Sequence, residues 1–103
     1  MTLLDICNEI GQIEEGLSCG RISFTYDNLM CAMKPGHPAE LLDNVLAQIG
    51  WDVFDGKPVE LDRVKEWLKD LKGFKTAFKV KELSKSIKHV QEYIKEQESL
   101  GNN

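Results

Sequence analysis

The sequence predicts a helix-dominated α+β fold, with about four helices and a small β-hairpin in a single compact domain. Apolar residues recur at intervals of three and four over most of the 103 residues, which is typical of amphipathic helices. A short stretch after residue 20 instead alternates apolar and polar side chains, which is typical of a strand. A chain of this length is one domain's worth. We expect the domain to cover residues 1-99 and a frayed tail to cover residues 100-103.

The first predicted helix begins after Thr2, which can cap it together with Asp5 three residues later. Apolar residues then follow at helical spacing: Leu3, Ile6, Cys7, Ile10 and Ile13. Gly16 is the predicted end of this helix.

The alternating stretch after Arg21 predicts a strand, with Ile22, Phe24 and Tyr26 on one side. Asp27-Asn28 suits a two-residue turn, and Leu29, Cys31 and Met33 would alternate along a return strand. The competing interpretation makes residues 29-34 a short helix capped by Asp27. We prefer the hairpin.

A second helix is predicted from Pro38, with His37 near its cap. Its apolar stripe consists of Leu41, Leu42, Val45, Leu46 and Ile49. Gly50 is its predicted end, and residues 51-54 read as a short extended piece before a turn. Trp51 is either part of the core edge or an exposed anchor for a partner, and we prefer the core.

A third helix is predicted from Val59 or Glu60, with Trp67 on its core side. The last helix carries a heptad-like seam of Val80, Leu83, Ile87, Val90 and Ile94. Residues 74-80 are open to three interpretations: a strand, the start of the last helix, or a continuation of the third helix through Gly73. We prefer a last helix that begins at about Thr76.

Charge is distributed unevenly along the chain. Residues 1-60 contain ten acidic and three basic side chains, whereas residues 61-103 contain seven acidic and ten basic ones. The lysine-rich stretch from Lys69 to Lys88 is either a surface that attracts phosphates or an ordinary solvated helix face, and we prefer the solvated face. The acidic half is either ordinary surface or a patch that meets a basic partner.

Few features of the sequence indicate a catalytic or metal-binding site. Cys7, Cys19 and Cys31 are an odd number of cysteines and include no close pair of the kind that zinc sites use, so we expect no metal and no cofactor. We expect all three to be at least partly buried. Cys31 with His37 is the one conceivable nucleophile-base pair, but no third group orients it at a recognisable spacing, and His89 is expected on the outer side of the last helix. We expect no catalysis, and no motif is specific enough to indicate a family.

The resulting functional hypothesis is a small acidic protein-binding module, a regulator or inhibitor of the immunity or mobile-element type. The candidate partner-binding residues are Trp51, Asp52, Phe54, Asp55, Lys75, Lys79 and Lys85. The alternatives are a non-specific nucleic-acid-binding protein that uses Lys69 to Lys88 and a minor enzyme that uses Cys31 and His37.

The seam residues Leu83, Ile87, Val90 and Ile94 either bury against the chain's own core, which we prefer, or form a homodimer. The N-terminus lacks a basic stretch before its apolar residues and no membrane span is evident, so a cytoplasmic location is expected.

Overall fold

The computed structural model describes residues 2–25 and 37–101, and within these residues it contains four helices and no strand. The helices are α1 (Leu3–Cys19), α2 (Pro38–Phe54), α3 (Leu61–Phe78) and α4 (Leu83–Gly101). The predicted α+β class is therefore wrong: the described part of the chain is an all-helical domain.

The segment predicted as the first strand of the hairpin runs along the helices instead. The backbone N–H of Ile22 donates to the carbonyl of Gly16 at 3.0 Å, and that of Thr25 donates to the carbonyl of Phe78 at 2.8 Å. Ile22 and Phe24 pack partly buried against the core, while Ser23 and Thr25 are exposed. The alternation thus reflects a chain lying over a bundle. The predicted turn, the return strand and the competing helix at 29-34 lie outside the described residues.

The four helices form a closed ring in which neighbours in sequence run antiparallel. α1 packs against α2 and α4, and α3 packs against the same two helices. The direction of α2 follows from Gly11 facing Leu46 and from the groove that the end of α1 shares with the start of α2. Lys65 near the start of α3 meets Glu98 near the end of α4 at 3.8 Å. The architecture is an up-down-up-down bundle.

α1 begins as predicted but ends later. Thr2 and Asp5 form a reciprocal capping box, with backbone-to-side-chain distances of 3.1 and 3.2 Å. Gly16 does not end the helix, which continues to Cys19 and stops at Gly20 with φ 83°. Gly16 serves packing instead, because a Cβ there would stand 2.6 Å from the Ile22 side chain.

α2 begins at the predicted cap, and its predicted end is wrong. The Nδ1 of His37 accepts the backbone N–H of Ala39 at 3.1 Å, and Pro38 occupies the first turn. Gly50 is buried within the helix, which continues through Trp51 to Phe54. The chain leaves the helix where Gly56 adopts φ 76°, so the left-handed glycine that ends the segment is Gly56.

The boundary between α3 and α4 also differs from the preferred prediction. α3 passes through Gly73 to Phe78, and α4 begins at Leu83. The apolar face of α3 steps by three and four through its whole length, at Val64, Trp67, Leu71, Phe74 and Phe78, all of which are buried. Residues 74–78 thus follow the third interpretation, and the last helix does not start at Thr76.

The seam of α4 lies inside the chain. Val80, Leu83, Ile87, Val90 and Ile94 are all buried in the core, which confirms the internal interpretation. The fully buried Trp67 is confirmed as core, and its indole N–H donates to the carbonyl of Val45 at 2.9 Å. α4 extends to Gly101. None of the described helices combines the length and the apolarity that crossing a bilayer requires.

Candidate partner-binding face

Two large aromatic side chains stand in solvent on the last turn of α2. Trp51 is 73% exposed and Phe54 is 51% exposed. The preference for Trp51 as core is therefore wrong. Side chains three positions apart lie on one side of a helix, so the two rings form a joint apolar surface.

The helix period explains why these rings face outward. The inner side of α2 is filled by Leu42, Leu46, Ile49 and Gly50, all buried. The opposite side carries five residues spaced at three and four, which we call the outer stripe of α2: Glu40, Asp43, Ala47, Trp51 and Phe54. All of these are exposed except Ala47, which is partly exposed. At 1.5 Å per residue the outer stripe is about 21 Å long.

The end of α2 that carries the rings is hydrogen-bonded to α3. Arg63 at the start of α3 donates to the carboxylate of Asp52 at 2.8 Å and to the carbonyl of Gln48 at 2.8 Å. The backbone N–H of Asp55 bonds to the carbonyl of Trp51 at 3.1 Å, and that of Lys57 bonds to the carbonyl of Asp52 at 2.8 Å. Asp52, a predicted partner-binding residue, is thus committed to Arg63, whereas Asp55 is exposed beside the rings.

The candidate lysines lie at the other end of the bundle. Lys75 is on the last turn of α3, Lys79 follows that helix and Lys85 is on the first turn of α4. The α3–α4 connection and the end of α2 are separated by the length of α3, about 27 Å for 18 residues. The structure therefore divides the predicted site into two separate surfaces.

Around the lysine end, basic side chains share two open clefts. Arg21, Lys79 and Lys81 line a cleft of about 470 Å³ together with Phe24 and Glu82. Lys85 lines the neighbouring cleft with Arg21, Lys81 and three carboxylates, Glu9, Glu15 and Glu82. The close contacts between basic and acidic side chains of described residues are Arg63–Asp52, Lys65–Glu98 and His89–Glu9, and none of them involves a lysine from Lys69 to Lys88.

The nucleophile-base pair of Cys31 and His37 stays a prediction. Cys31 lies outside the described residues. His37 caps α2 through Nδ1, and its ring meets the edge of Phe24 at a centroid distance of 5.4 Å. Among residues 2–25 and 37–101, no group of three or more histidine, cysteine, aspartate or glutamate side chains is arranged to hold a metal ion.

The packing of α1 against α4 brings together a polar cluster that the sequence does not predict. The buried Ser86 hydroxyl donates to Glu9 Oε1 at 2.7 Å, and His89 Nδ1 lies 3.1 Å from the same oxygen. His89, expected on the outer side of the last helix, thus turns toward α1. The one available signal is Ser86 itself, the polar residue that falls three positions after Leu83 on the apolar face. Because the hydroxyl is enclosed and already bonded, the cluster joins two helices rather than presenting a nucleophile.

The two described cysteines differ in reactivity. Burial raises the pKa of Cys7 to about 11. Cys19 is exposed at the end of α1, and the Nε–H of Arg21 donates to its sulfur at 3.2 Å, which lowers the pKa of that thiol. The expectation that all three cysteines are at least partly buried is wrong for Cys19.

Comparison with known proteins assigns this domain to no family. No protein-family model matches the chain, and neither a curated protein nor a solved structure matches it.

Proposed function

We propose that this domain is a protein-binding module, a regulator or inhibitor without catalysis of its own, and that Trp51 and Phe54 anchor its partner. The observation that supports the proposal is the exposure of both rings on a helix whose own core side is already filled.

Energetic considerations favour a binding role for these rings. Tryptophan is among the residues that most often dominate interface energies, because it buries a large area while few of its bonds lose freedom. The contacts of Arg63 with Asp52 and with the Gln48 carbonyl hold the end of the helix, so binding need not order the backbone there. In the free domain the apolar surface of both rings is in contact with water. A partner's pocket would bury that surface, which is favourable because of the hydrophobic effect.

The test is a comparison of three tagged chains in the cells where the protein occurs. Mass spectrometry would compare the proteins retained by the wild type, by Trp51→Ala and by Leu100→Ala, the last being a matched control with a large exposed side chain on another helix. A protein retained by the wild type is then purified and titrated calorimetrically. We expect Trp51→Ala to weaken binding about 30-fold or more, which corresponds to about 2 kcal/mol. Equal binding by Trp51→Ala and the wild type would contradict the proposal.

A second candidate function, non-specific nucleic-acid binding, is favoured by the lysine end of the bundle. Lysines that form no ion pair with a described carboxylate can neutralise the phosphates of a nucleic acid, which releases the counterions condensed on it, so such binding weakens as salt rises. A gel-shift assay with a single-stranded oligonucleotide at low salt tests it. We expect reversal of Lys75, Lys79 and Lys85 to Glu to abolish binding, and reversal of Lys57 and Lys95, exposed elsewhere, to retain most of it. Absence of binding at low salt would rule this candidate out.

A further inference from the structure

The aromatic rings of α2 share their side of the helix with two carboxylates. Glu40 and Asp43 begin the outer stripe of α2, and Trp51 and Phe54 end it. Ala47 lies between the pairs and adds no charge of its own. One continuous face therefore presents negative charge at one end and apolar surface at the other.

No cation of the described residues neutralises the acidic end. Glu40 and Asp43 take no part in the ion pairs between described residues. Instead, Glu14 of α1 joins them along a groove of about 380 Å³ between the two helices. His37 and Ser18 line the groove as well, and its three carboxylates give it a negative charge that attracts a cationic group.

The negative charge extends over the rest of α1 and α2. α1 contains four acidic residues and α2 contains three, and neither helix contains a lysine or an arginine. α3, by contrast, contains five basic and three acidic residues. A bundle polarised in this way attracts basic partners to its α1–α2 side over distances of about 8 Å at physiological salt.

We infer that the outer stripe of α2 binds a basic protein surface, one that places lysine or arginine opposite Glu40 and Asp43 and offers an apolar pocket to Trp51 and Phe54. The inference rests on the proposed function and specifies its partner. Opposite charges across an interface fix how the two proteins align, and like charges disfavour the wrong partners. The carboxylates of Glu40 and Asp43 repel nucleic acids and anionic membranes.

A second copy of the chain is a poorer fit. A two-fold axis parallel to the stripe would set the acidic ends of the two copies against each other. An axis perpendicular to the stripe would set the two stripes antiparallel, so the carboxylates of each copy would face the aromatic rings of its neighbour. Neither the acidic ends nor the rings would then find complementary groups.

Two synthetic amphipathic peptides test the inference directly. They share one pattern of leucines, and their polar positions are all lysine in one and all glutamate in the other. In a heteronuclear NMR titration of the intact chain at low salt, we expect the lysine peptide to shift the amide signals of residues 40–54 and the glutamate peptide to leave them in place. The shifts should shrink at about 0.5 M salt, where charges are strongly screened.

Matched charge variants separate this face from general attraction. Replacement of Glu40 by Gln and Asp43 by Asn should weaken binding of the lysine peptide about three- to ten-fold, if each of the two charge pairs contributes in the middle of the range for exposed pairs. Asp62→Asn with Glu66→Gln changes the net charge equally, on exposed positions of α3, and should leave binding close to that of the wild type. Thermal unfolding of both variants checks that the fold is kept.

The outcomes distinguish the inference from the proposed function. If the glutamate peptide shifts residues 40–54 equally, or if both charge variants behave alike, the basic partner is wrong while aromatic anchoring stands. If neither peptide shifts the stripe, the basic partner is likewise wrong. If Trp51→Ala binds both the lysine peptide and the purified partner as the wild type does, aromatic anchoring fails as well.

Discussion

Cys7 and Cys19 belong to one helix but lie in opposite surroundings. Cys7 faces the core, where a thiolate would lose its hydration, and Cys19 faces solvent beside a guanidinium that favours the thiolate. At the scale of single residues, the neighbour within a few ångströms therefore decides chemistry that composition alone cannot assign.

This contrast predicts selective modification. With iodoacetamide near neutral pH, we expect Cys19 to be alkylated while Cys7 stays protected until the chain unfolds. Because its pKa is lowered, the alkylation rate of Cys19 should rise at a lower pH than that of an unperturbed thiol, and Arg21→Gln should shift that rise to higher pH. Peptide mass spectrometry over a pH series measures both sites. Lys57→Gln is a control far from Cys19, and an unchanged profile in Arg21→Gln would contradict the role of Arg21.

The buried hydroxyl of Ser86 gives a second prediction at this scale. Ser86→Ala removes the donor to Glu9, so we expect the free energy of unfolding to fall by about 1 kcal/mol. Ser99→Ala, exposed on the same helix, should change it little. Urea denaturation followed by circular dichroism compares the two, and an equal effect of both substitutions would argue against the interhelical bond.

At the scale of elements, a glycine does not by itself mark the end of a helix: Gly20 ends α1, whereas Gly50 and Gly73 lie inside α2 and α3. The interior glycines Gly50 and Gly73 are tolerated because the helix on each side of them has apolar residues to bury. α3 ends instead at Lys79, whose φ of 55° is a left-handed conformation that glycine adopts with less strain. The cost of a glycine inside a helix, about 1 kcal/mol, is smaller than the gain from burying another turn.

The conformation of Lys79 is testable by a pair of substitutions. Lys79→Gly should raise the free energy of unfolding by about 0.5–1 kcal/mol, because it removes the left-handed strain at a modest entropic cost. Lys75→Gly, one turn earlier in right-handed helix, should lower it by about 0.5–1 kcal/mol. Chemical denaturation measures both changes, and destabilisation by both variants would show that Lys79 is not strained.

At the scale of the whole molecule, one core joins all four helices. Each helix contributes buried apolar residues, and the α4 seam lies within that core rather than on a surface open to a second chain. Filling the inner faces leaves the outer stripe of α2 unpartnered.

The internal seam predicts stability that does not depend on protein concentration. Leu83→Ala should lower the free energy of unfolding by about 2–5 kcal/mol, as buried leucine truncations do, whereas the exposed Leu100→Ala on the same helix should cost little. A seam buried between two copies would instead give a midpoint that rises with concentration. Denaturation at several protein concentrations, with mass measured by light scattering, distinguishes the two arrangements.

The sequence by itself determined the features that depend on neighbours within a few residues. The capping box of Thr2 and Asp5, the cap by His37 and the apolar stripes follow from local hydrogen bonding and the helix period, and they are present as predicted. The polarity of charge between the two halves is likewise a property of the sequence.

Only the tertiary structure decided what depends on which surfaces remain to be covered. The sequence permitted a strand at residues 22–26, but Ile22 and Phe24 lie on the bundle because helices supply their packing partners. It permitted Trp51 in the core, but with Leu42, Leu46 and Ile49 on the inner side of α2, the ring stands on the outer side. Likewise, Glu9 finds Ser86 and His89 because antiparallel packing brings together residues some eighty positions apart. Periodicity fixes which residues share a face, whereas packing fixes which face is buried.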